Sequence, residues 1–140
     1  MNQAAESVIR QTLEASNQGR IHFGQVIQHL TSAGVESYAV DYRGGRIAYY
    51  MPSGETLRLK LDLPDIQIAS DFSAVGIKDA IAGAQRGEVM YPEFKRLSQE
   101  SGCIGYTVWI TGQHVTYYGR KGEMHIERFP DSSSDLLTAP

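Results

Sequence analysis

The first third of the chain carries apolar residues with the spacing of amphipathic helices. They recur three and four positions apart over residues 7–18 and again over residues 22–33, so each stretch is predicted to form a helix with one buried face. Gly19 and Gly34 follow these stretches. They are the expected helix ends, because glycine accepts the left-handed conformation that other residues resist.

The pattern then changes to three short runs of the kind that form strands, at residues 37–42, 46–51 and 55–61. Arg43 and Gly44 separate the first two runs, and a Pro-Ser-Gly sequence at residues 52–54 separates the next two. Both separators are turn signals. The three strands are therefore predicted to form an antiparallel meander.

The second half repeats this order of elements. Shifting the chain by 68 positions aligns residues 7–58 with residues 75–126 without a gap, and ten aligned positions are identical. The identical pairs are Ile9/Ile77, Gly19/Gly87, Gly34/Gly102, Tyr38/Tyr106, Val40/Val108, Gly44/Gly112, Tyr49/Tyr117, Tyr50/Tyr118, Gly54/Gly122 and Glu55/Glu123. The predicted helices of the second copy span residues 72–86 and 91–101, and its strands span residues 105–110, 114–118 and 123–129.

The fold class predicted from this duplication is α+β. Each copy is a helix-helix-three-stranded antiparallel meander, with the helices packed on one sheet face. The first repeat is predicted to span residues 1–61, a linker residues 62–71, the second repeat residues 72–129 and a flexible tail residues 130–140. The two repeats are expected to form one compact unit, and the sequence leaves open whether their meanders join into one sheet.

The turns of the second meander determine which side chains share a face, because side chains alternate along a strand. A two-residue turn at Thr111 and Gly112 would place Trp109 opposite His114. The pairs predicted across the next turn, residues 119–122, are His114 with Glu127, Thr116 with His125, and Tyr118 with Glu123. One face then holds the apolar set Tyr106, Val108, Ile110, Val115, Tyr117, Met124 and Ile126, suited to packing under helices. The open face holds the candidate binding residues Trp109, His114, Tyr118, Glu123, His125 and Glu127.

This polar and aromatic constellation has three interpretations. It is a solvated sheet face, as antiparallel sheets commonly have. It is alternatively a surface for a protein or small molecule, with Trp109 and Tyr118 as anchors, or a metal or acid–base site built from its histidines and glutamates. The first copy has Arg46, Leu57 and Leu59 in place of the second copy's His114, His125 and Glu127. Any specific function is therefore expected where the copies have diverged.

The charge and composition of the chain argue against some classes of function. The formal net charge of the 140 residues is −3, and Lys and Arg are not concentrated in either half, so nucleic-acid binding is not expected. No apolar run approaches the length of a membrane span, and no leader pattern is visible. A cytoplasmic location is expected. The single cysteine, Cys103, is predicted to be a buried thiol. His22 and His29 are predicted to lie on the surface of a helix. No cofactor or metal is predicted.

Two long segments carry a family resemblance. They are residues 23–50, FGQVIQHLTSAGVESYAVDYRGGRIAYY, and residues 101–130, SGCIGYTVWITGQHVTYYGRKGEMHIERFP. In these segments the chain resembles the YdfO-like (YbcV/YdfO) family of small bacterial and prophage-associated proteins, sometimes labelled phage envelope proteins. The resemblance implies a small cytoplasmic α+β protein of unassigned activity, and it carries no catalytic residues.

These observations favour a non-enzymatic module that binds a protein or a small ligand, and they are compatible with a homo-oligomer. The first alternative is a small hydrolase-type or metal-assisted enzyme that uses His and Glu residues of the second meander. The second is a prophage-encoded regulator that acts by protein contact. The sequence shows neither a nucleophile beside a base nor a metal-ligand spacing, so the binding module is preferred.

Overall fold

The computed structural model describes residues 1–130, so the predicted tail from residue 131 onward lies outside the described residues. The helices are α1 (Gln3–Asn17), α2 (Phe23–Ser32), α3 (Ala74–Gln85) and α4 (Tyr91–Glu100). The strands are β1 (Ser37–Asp41), β2 (Arg46–Tyr50), β3 (Thr56–Lys60), β4 (Cys103–Trp109), β5 (His114–Gly119) and β6 (Met124–Arg128). All ten predicted elements are present in the predicted order.

The glycines predicted to end the first two helices have the backbone conformation that this role requires. Gly19 has φ +68° and Gly34 has φ +88°, both in the left-handed region where a side chain would be strained. The amide of Val35 then donates to the carbonyl of Leu30 at 3.0 Å, which closes the end of α2. Each helix therefore stops where the sequence predicts, and the chain turns into the next element.

All six strands form one antiparallel sheet in the order β3-β2-β1-β4-β5-β6. The two meanders are joined by the pairing of β1 with β4, in which Ala39 lies opposite Thr107. These two residues occupy equivalent positions of the repeat. The copies are thus related by an approximate twofold axis that passes through this pair, and the question that the sequence leaves open is answered by one continuous sheet.

The helices cover one face of the sheet, as predicted, and the core lies between them. Equivalent residues of the two copies have the same role in it: Ile9 of α1 and Ile77 of α3 are both 0 % exposed. Val40 and Val108, on the paired central strands, are 4 % and 0 % exposed. The shared positions of the repeat are therefore mainly scaffold. Within residues 1–130, no helix combines the length and the apolar character that a membrane crossing requires.

The predicted register is right for β5 and wrong for β6. Trp109 pairs with His114, as expected, but His114 pairs with Arg128 and not with Glu127. The connection between β5 and β6 is a three-residue loop, residues 120–122, whose last residue Gly122 has φ +86°. Such a loop is a common hairpin form, one residue shorter than the predicted turn. This one-residue shift exchanges the two faces of β6.

The junction between the copies depends on Gly105, which faces Asp41 across the β1–β4 pairing. A Cβ atom at Gly105 would lie 2.3 Å from the carbonyl oxygen of Val40, so a side chain there would force the central strands apart. We predict that Gly105→Ala lowers the free energy of unfolding by about 1–3 kcal/mol, the usual cost of overpacking. Chemical denaturation measures this change. The control is Thr107→Ala on the same strand, and equal stability of Gly105→Ala and the unmodified protein would contradict the prediction.

Candidate ligand-binding site

The residues predicted to share the open face are divided between the two faces of the sheet. Trp109, His114 and Tyr118 lie on the open face, whereas His125 and Glu127 lie on the face that the helices cover, because His125 pairs with Tyr117. The sixth residue, Glu123, lies in the turn. There its Oε1 accepts a hydrogen bond from the amide of Lys121 at 2.9 Å. The prediction that these six residues share the open face is therefore wrong.

The open face of β6 carries the apolar residues that were expected under the helices. Met124 is 62 % exposed and Ile126 is 57 % exposed. They lie opposite Tyr118 and Thr116 of β5. Trp109 is 40 % exposed, and its ring centre lies 6.3 Å from that of His114. The open face of the second meander is thus more apolar than predicted.

On the covered face, β6 brings a histidine and a carboxylate together. His125 Nε2 lies 3.0 Å from Glu127 Oε1, and the imidazole stacks on the Tyr117 ring with 6.3 Å between centres. The equivalent residues of the first copy are Leu57 and Leu59, which pack against the core. The copies therefore diverge inside the molecule, where one copy places an acid–base pair at the edge of the core and the other places two leucines.

A cavity of about 120 Å³ lies between the helices and the covered face of the sheet. Its lining comes from both copies, often from equivalent positions such as Ile21 and Val89, or Ile47 and Val115. The residues around the cavity are mostly apolar. The aromatic residues among them are Phe23, Tyr38, Tyr49, Tyr91, Phe94, Tyr106, Tyr117 and Phe129. The cavity therefore exists only because the two copies meet.

Two equivalent tyrosine pairs line the sheet side of the cavity. The rings of Tyr38 and Tyr49 lie 5.5 Å apart, and those of Tyr106 and Tyr117 lie 5.4 Å apart. The Tyr106 hydroxyl donates to the Tyr91 hydroxyl at 2.8 Å. Among the described residues, the structure shows no such hydrogen bond for the hydroxyls of Tyr38, Tyr49 and Tyr117. Unused phenol groups beside a cavity are available to a ligand.

Two further polar groups belong to the cavity. His22 precedes α2, and its Nδ1 atom is buried with no hydrogen-bond partner among the described residues. Glu127 of β6 also belongs to the lining, and its charge contributes to the raised pKa of Tyr117, after burial and the nearby Cys103. Buried polar atoms normally have partners, so an unsatisfied nitrogen beside a cavity indicates a ligand or water position.

Sequence reasoning missed the role of His22. Its equivalent in the second copy is Met90, so no repeated ligand set marks it. His22 lies at the N-cap of α2, but its Nδ1 atom is buried and not on the predicted helix surface. His29 is exposed on α2, as predicted. No sequence signal marks His22, because the burial of its Nδ1 atom depends on which elements surround it.

Cys103 is the buried thiol that the sequence predicts. It is 0 % exposed, its Sγ donates to the carbonyl of Gly105 at 3.2 Å, and burial raises the pKa of the thiol to about 11. A protonated and inaccessible thiol is a poor nucleophile. Within residues 1–130, no three His, Cys, Asp or Glu side chains are grouped as a metal site would require.

Fold and site together define an internally duplicated α+β protein with an aromatic cavity at the junction of its copies. A family model described as "Protein of unknown function (DUF1398)" matches residues 42–128, from the end of β1 through β6. The chain belongs to this family. None of the curated proteins matches the chain. The resemblance to the YdfO-like family, and the prophage association that it implies, stay predictions.

The buried phenols predict a specific pH dependence of stability. Burial is the main cause of a raised pKa at Tyr38, Tyr42, Tyr49, Tyr91, Tyr106 and Tyr117. The folded protein keeps these protons, whereas an unfolded chain releases them above about pH 10. Their stabilising contribution is therefore complete below that pH and decreases as the pH rises, by up to about 1.4 kcal/mol per group and pH unit.

Denaturation midpoints measured between neutral and strongly alkaline pH check this expectation. Cys103 adds to the loss, and Lys95, whose pKa is lowered mainly by burial, opposes it until about pH 10.4. Tyr38→Phe should leave the stability at neutral pH nearly unchanged and make the alkaline loss less steep. A midpoint that stays constant to about pH 11 would show that the phenols are not held in their neutral form.

Proposed function

We propose that this protein is a non-enzymatic binding module whose ligand is a small, mainly apolar molecule held in the cavity between the copies. The observation that supports it is the cavity itself, which eight aromatic side chains and a few separate polar groups surround. Ligand sites typically combine an apolar surface with a small number of polar groups that fix orientation. Here His22, Glu127 and the tyrosine hydroxyls are those groups.

The size of the cavity limits the ligand. Its volume of about 120 Å³ is slightly below that of an engineered apolar cavity of about 150 Å³ that binds benzene. One aromatic ring is therefore the upper limit for the enclosed volume, and any substituent would have to extend toward the open edge. The residues at the edge, including Ile21, Val89 and Phe129, are only partly buried, which gives such a molecule a way in between the two helix pairs.

Protein cores normally pack without voids of this size, because unfilled space loses dispersion contacts. Aromatic pairs such as Tyr38 with Tyr49 hold the sheet side open, and Phe23 and Phe129 contact edge to face with 5.5 Å between their ring centres. A cavity maintained by large side chains from both copies supports a function in binding.

The enzymatic alternative draws on the His125–Glu127 pair, which has the hydrogen bond that orients a general base. A hydrolase that acts through a covalent intermediate also needs a side-chain nucleophile beside that base. Cys103, the one thiol of the chain, is fully buried with a raised pKa, so it does not support this role. Binding is the better supported proposal.

The alternative of a regulator that acts by protein contact is supported by the open face. Trp109 of β4 and Met124 and Ile126 of β6 are exposed apolar side chains on that face, and exposed apolar surface is typical of contact sites. Trp109, His114 and Tyr118 keep their proposed binding role only in this alternative. These exposed side chains are independent of the cavity, because they lie on the other face of the sheet.

Ligand binding in the cavity can be tested by placing a larger side chain in it from α3. Ala84 lines it, whereas Ala82 of the same helix does not, so Ala84→Phe and Ala82→Phe form a matched pair. With toluene as the probe, we expect chemical-shift changes of cavity residues in the unmodified protein and in Ala82→Phe, and none in Ala84→Phe, because the new ring occupies the ligand volume.

Thermal melts of both variants show whether they remain folded. If toluene shifts the same resonances in folded Ala84→Phe, or shifts none in the unmodified protein, the cavity is not a binding site for ring compounds.

A further inference from the structure

The side of β6 that faces the cavity carries a negative charge. Among the described residues that line the cavity, those with a Lys, Arg, Asp or Glu side chain are Glu127 and Arg128. They are neighbours on the strand. Arg128 pairs with His114 on the open face, so the alternation of side chains directs it away from the cavity. Glu127 is directed inward, with a side chain 33 % exposed. The ionised group available to a ligand is therefore a carboxylate.

The aromatic lining, like the carboxylate, favours a positively charged ligand. The face of an aromatic ring carries a negative quadrupole and attracts a cation, most strongly where water is excluded. Tyr38, Tyr49, Tyr106 and Tyr117 are each at most 6 % exposed. A positively charged group in this cavity would have several ring faces near it and a carboxylate at the edge.

The hydrogen-bonding groups at the cavity are suited to a ligand that donates hydrogen bonds. Glu127 has a carboxylate with about four acceptor positions, of which His125 uses one. His22 Nδ1 is buried without a partner among the described residues, and it can accept a hydrogen bond in the tautomer that has its proton on Nε2. An ammonium group offers up to three donors and no acceptor, which complements both.

The two helix N-termini beside the cavity do not change the preference for a positively charged ligand. α2 and α4 begin beside it, at Phe23 and Tyr91, and a helix N-terminus favours a negative group. Glu127 already supplies one. An anionic ligand would bring a second negative charge into the same small volume, whereas a cationic ligand would be adjacent to an existing carboxylate.

We infer that the ligand of the cavity is an organic cation, an amine attached to an apolar ring, with Glu127 as its charge partner. This inference rests on the proposed function, since it concerns the same cavity. It assigns Glu127 to charge selectivity and the tyrosine rings to the enclosure of the cationic group. It also gives a reason for the divergence of β6, because the first copy's Leu59 could not supply the charge.

Three probes of similar size separate charge from shape: benzylammonium, benzyl alcohol and benzoate. Titration calorimetry at neutral pH and low salt measures their affinities for the full chain. We expect benzylammonium to bind at least about tenfold tighter than benzyl alcohol, as a desolvated cation–π contact with a carboxylate partner permits, and benzoate to bind most weakly.

Glu127→Gln should reduce the preference for benzylammonium over benzyl alcohol to less than about threefold, because an amide keeps the shape and loses the charge. It should leave the affinity for benzyl alcohol nearly unchanged. The matched control is Glu123→Gln, the same substitution in the turn outside the cavity, which should retain the full preference. Circular dichroism melts verify that both variants are folded.

The outcomes distinguish the two proposals. If benzyl alcohol or benzoate binds as tightly as benzylammonium, or if Glu127→Gln keeps the preference, the cavity is a ring site without charge selectivity and this inference is overturned. If none of the three probes binds and toluene does not bind either, the proposed function fails and this inference fails with it.

Discussion

The rest of the structure depends on the hydrogen-bonded pairing of β1 with β4. Each copy alone would be a three-stranded meander with β1 or β4 as an unpaired edge, which proteins normally protect. Pairing these two strands about Ala39 and Thr107 satisfies both edges at once and brings the two helix pairs side by side over one sheet. The cavity follows from that geometry, because its lining is drawn from both sides of the junction.

The helix layer has its own connection between the copies. Lys95 of α4 is 3 % exposed, and its Nζ donates to Asn17 Oδ1 at 3.0 Å and to the carbonyl of Asp62. The same ammonium group lies 4.8 Å from the centre of the Tyr91 ring. A buried cation is costly unless it is well partnered. Here the partners belong to the first copy and the linker, so Lys95 holds α4 against α1 and keeps Tyr91 beside the cavity.

The sequence predicts the scaffold well because local rules determine it. Helix ends follow from Gly19 and Gly34, and the two-residue turn that was assumed gives the same β4–β5 register as the four-residue connection observed, residues 110–113. The β6 register fails because a four-residue turn and a three-residue loop ending in Gly122 are both compatible with the sequence, and they give opposite faces. That one ambiguity misplaced the side chains of His125 and Glu127.

The cavity could not be predicted at all from local patterns. It requires the β1–β4 pairing, which joins residues far apart in the sequence, and its rings come from positions that look like ordinary core residues. Tyr38 and Tyr106 fit the inward side of a strand whether the space beneath them is filled or empty. His22 likewise gives no signal, since its role depends on which elements surround it and not on its place in a repeat.

The differences between the two copies nevertheless identify the residues that make the cavity asymmetric. Identical positions such as Tyr49 and Tyr117 maintain the scaffold and the aromatic surface in both halves. A pocket built only from such positions would have nearly twofold symmetry and would accept a small molecule in two equivalent orientations. Glu127 in place of Leu59, and His22 in place of Met90, remove that equivalence, because each puts a polar group on one side only. The duplication thus supplies the enclosure, and the differences between the copies would give a molecule bound there a single direction.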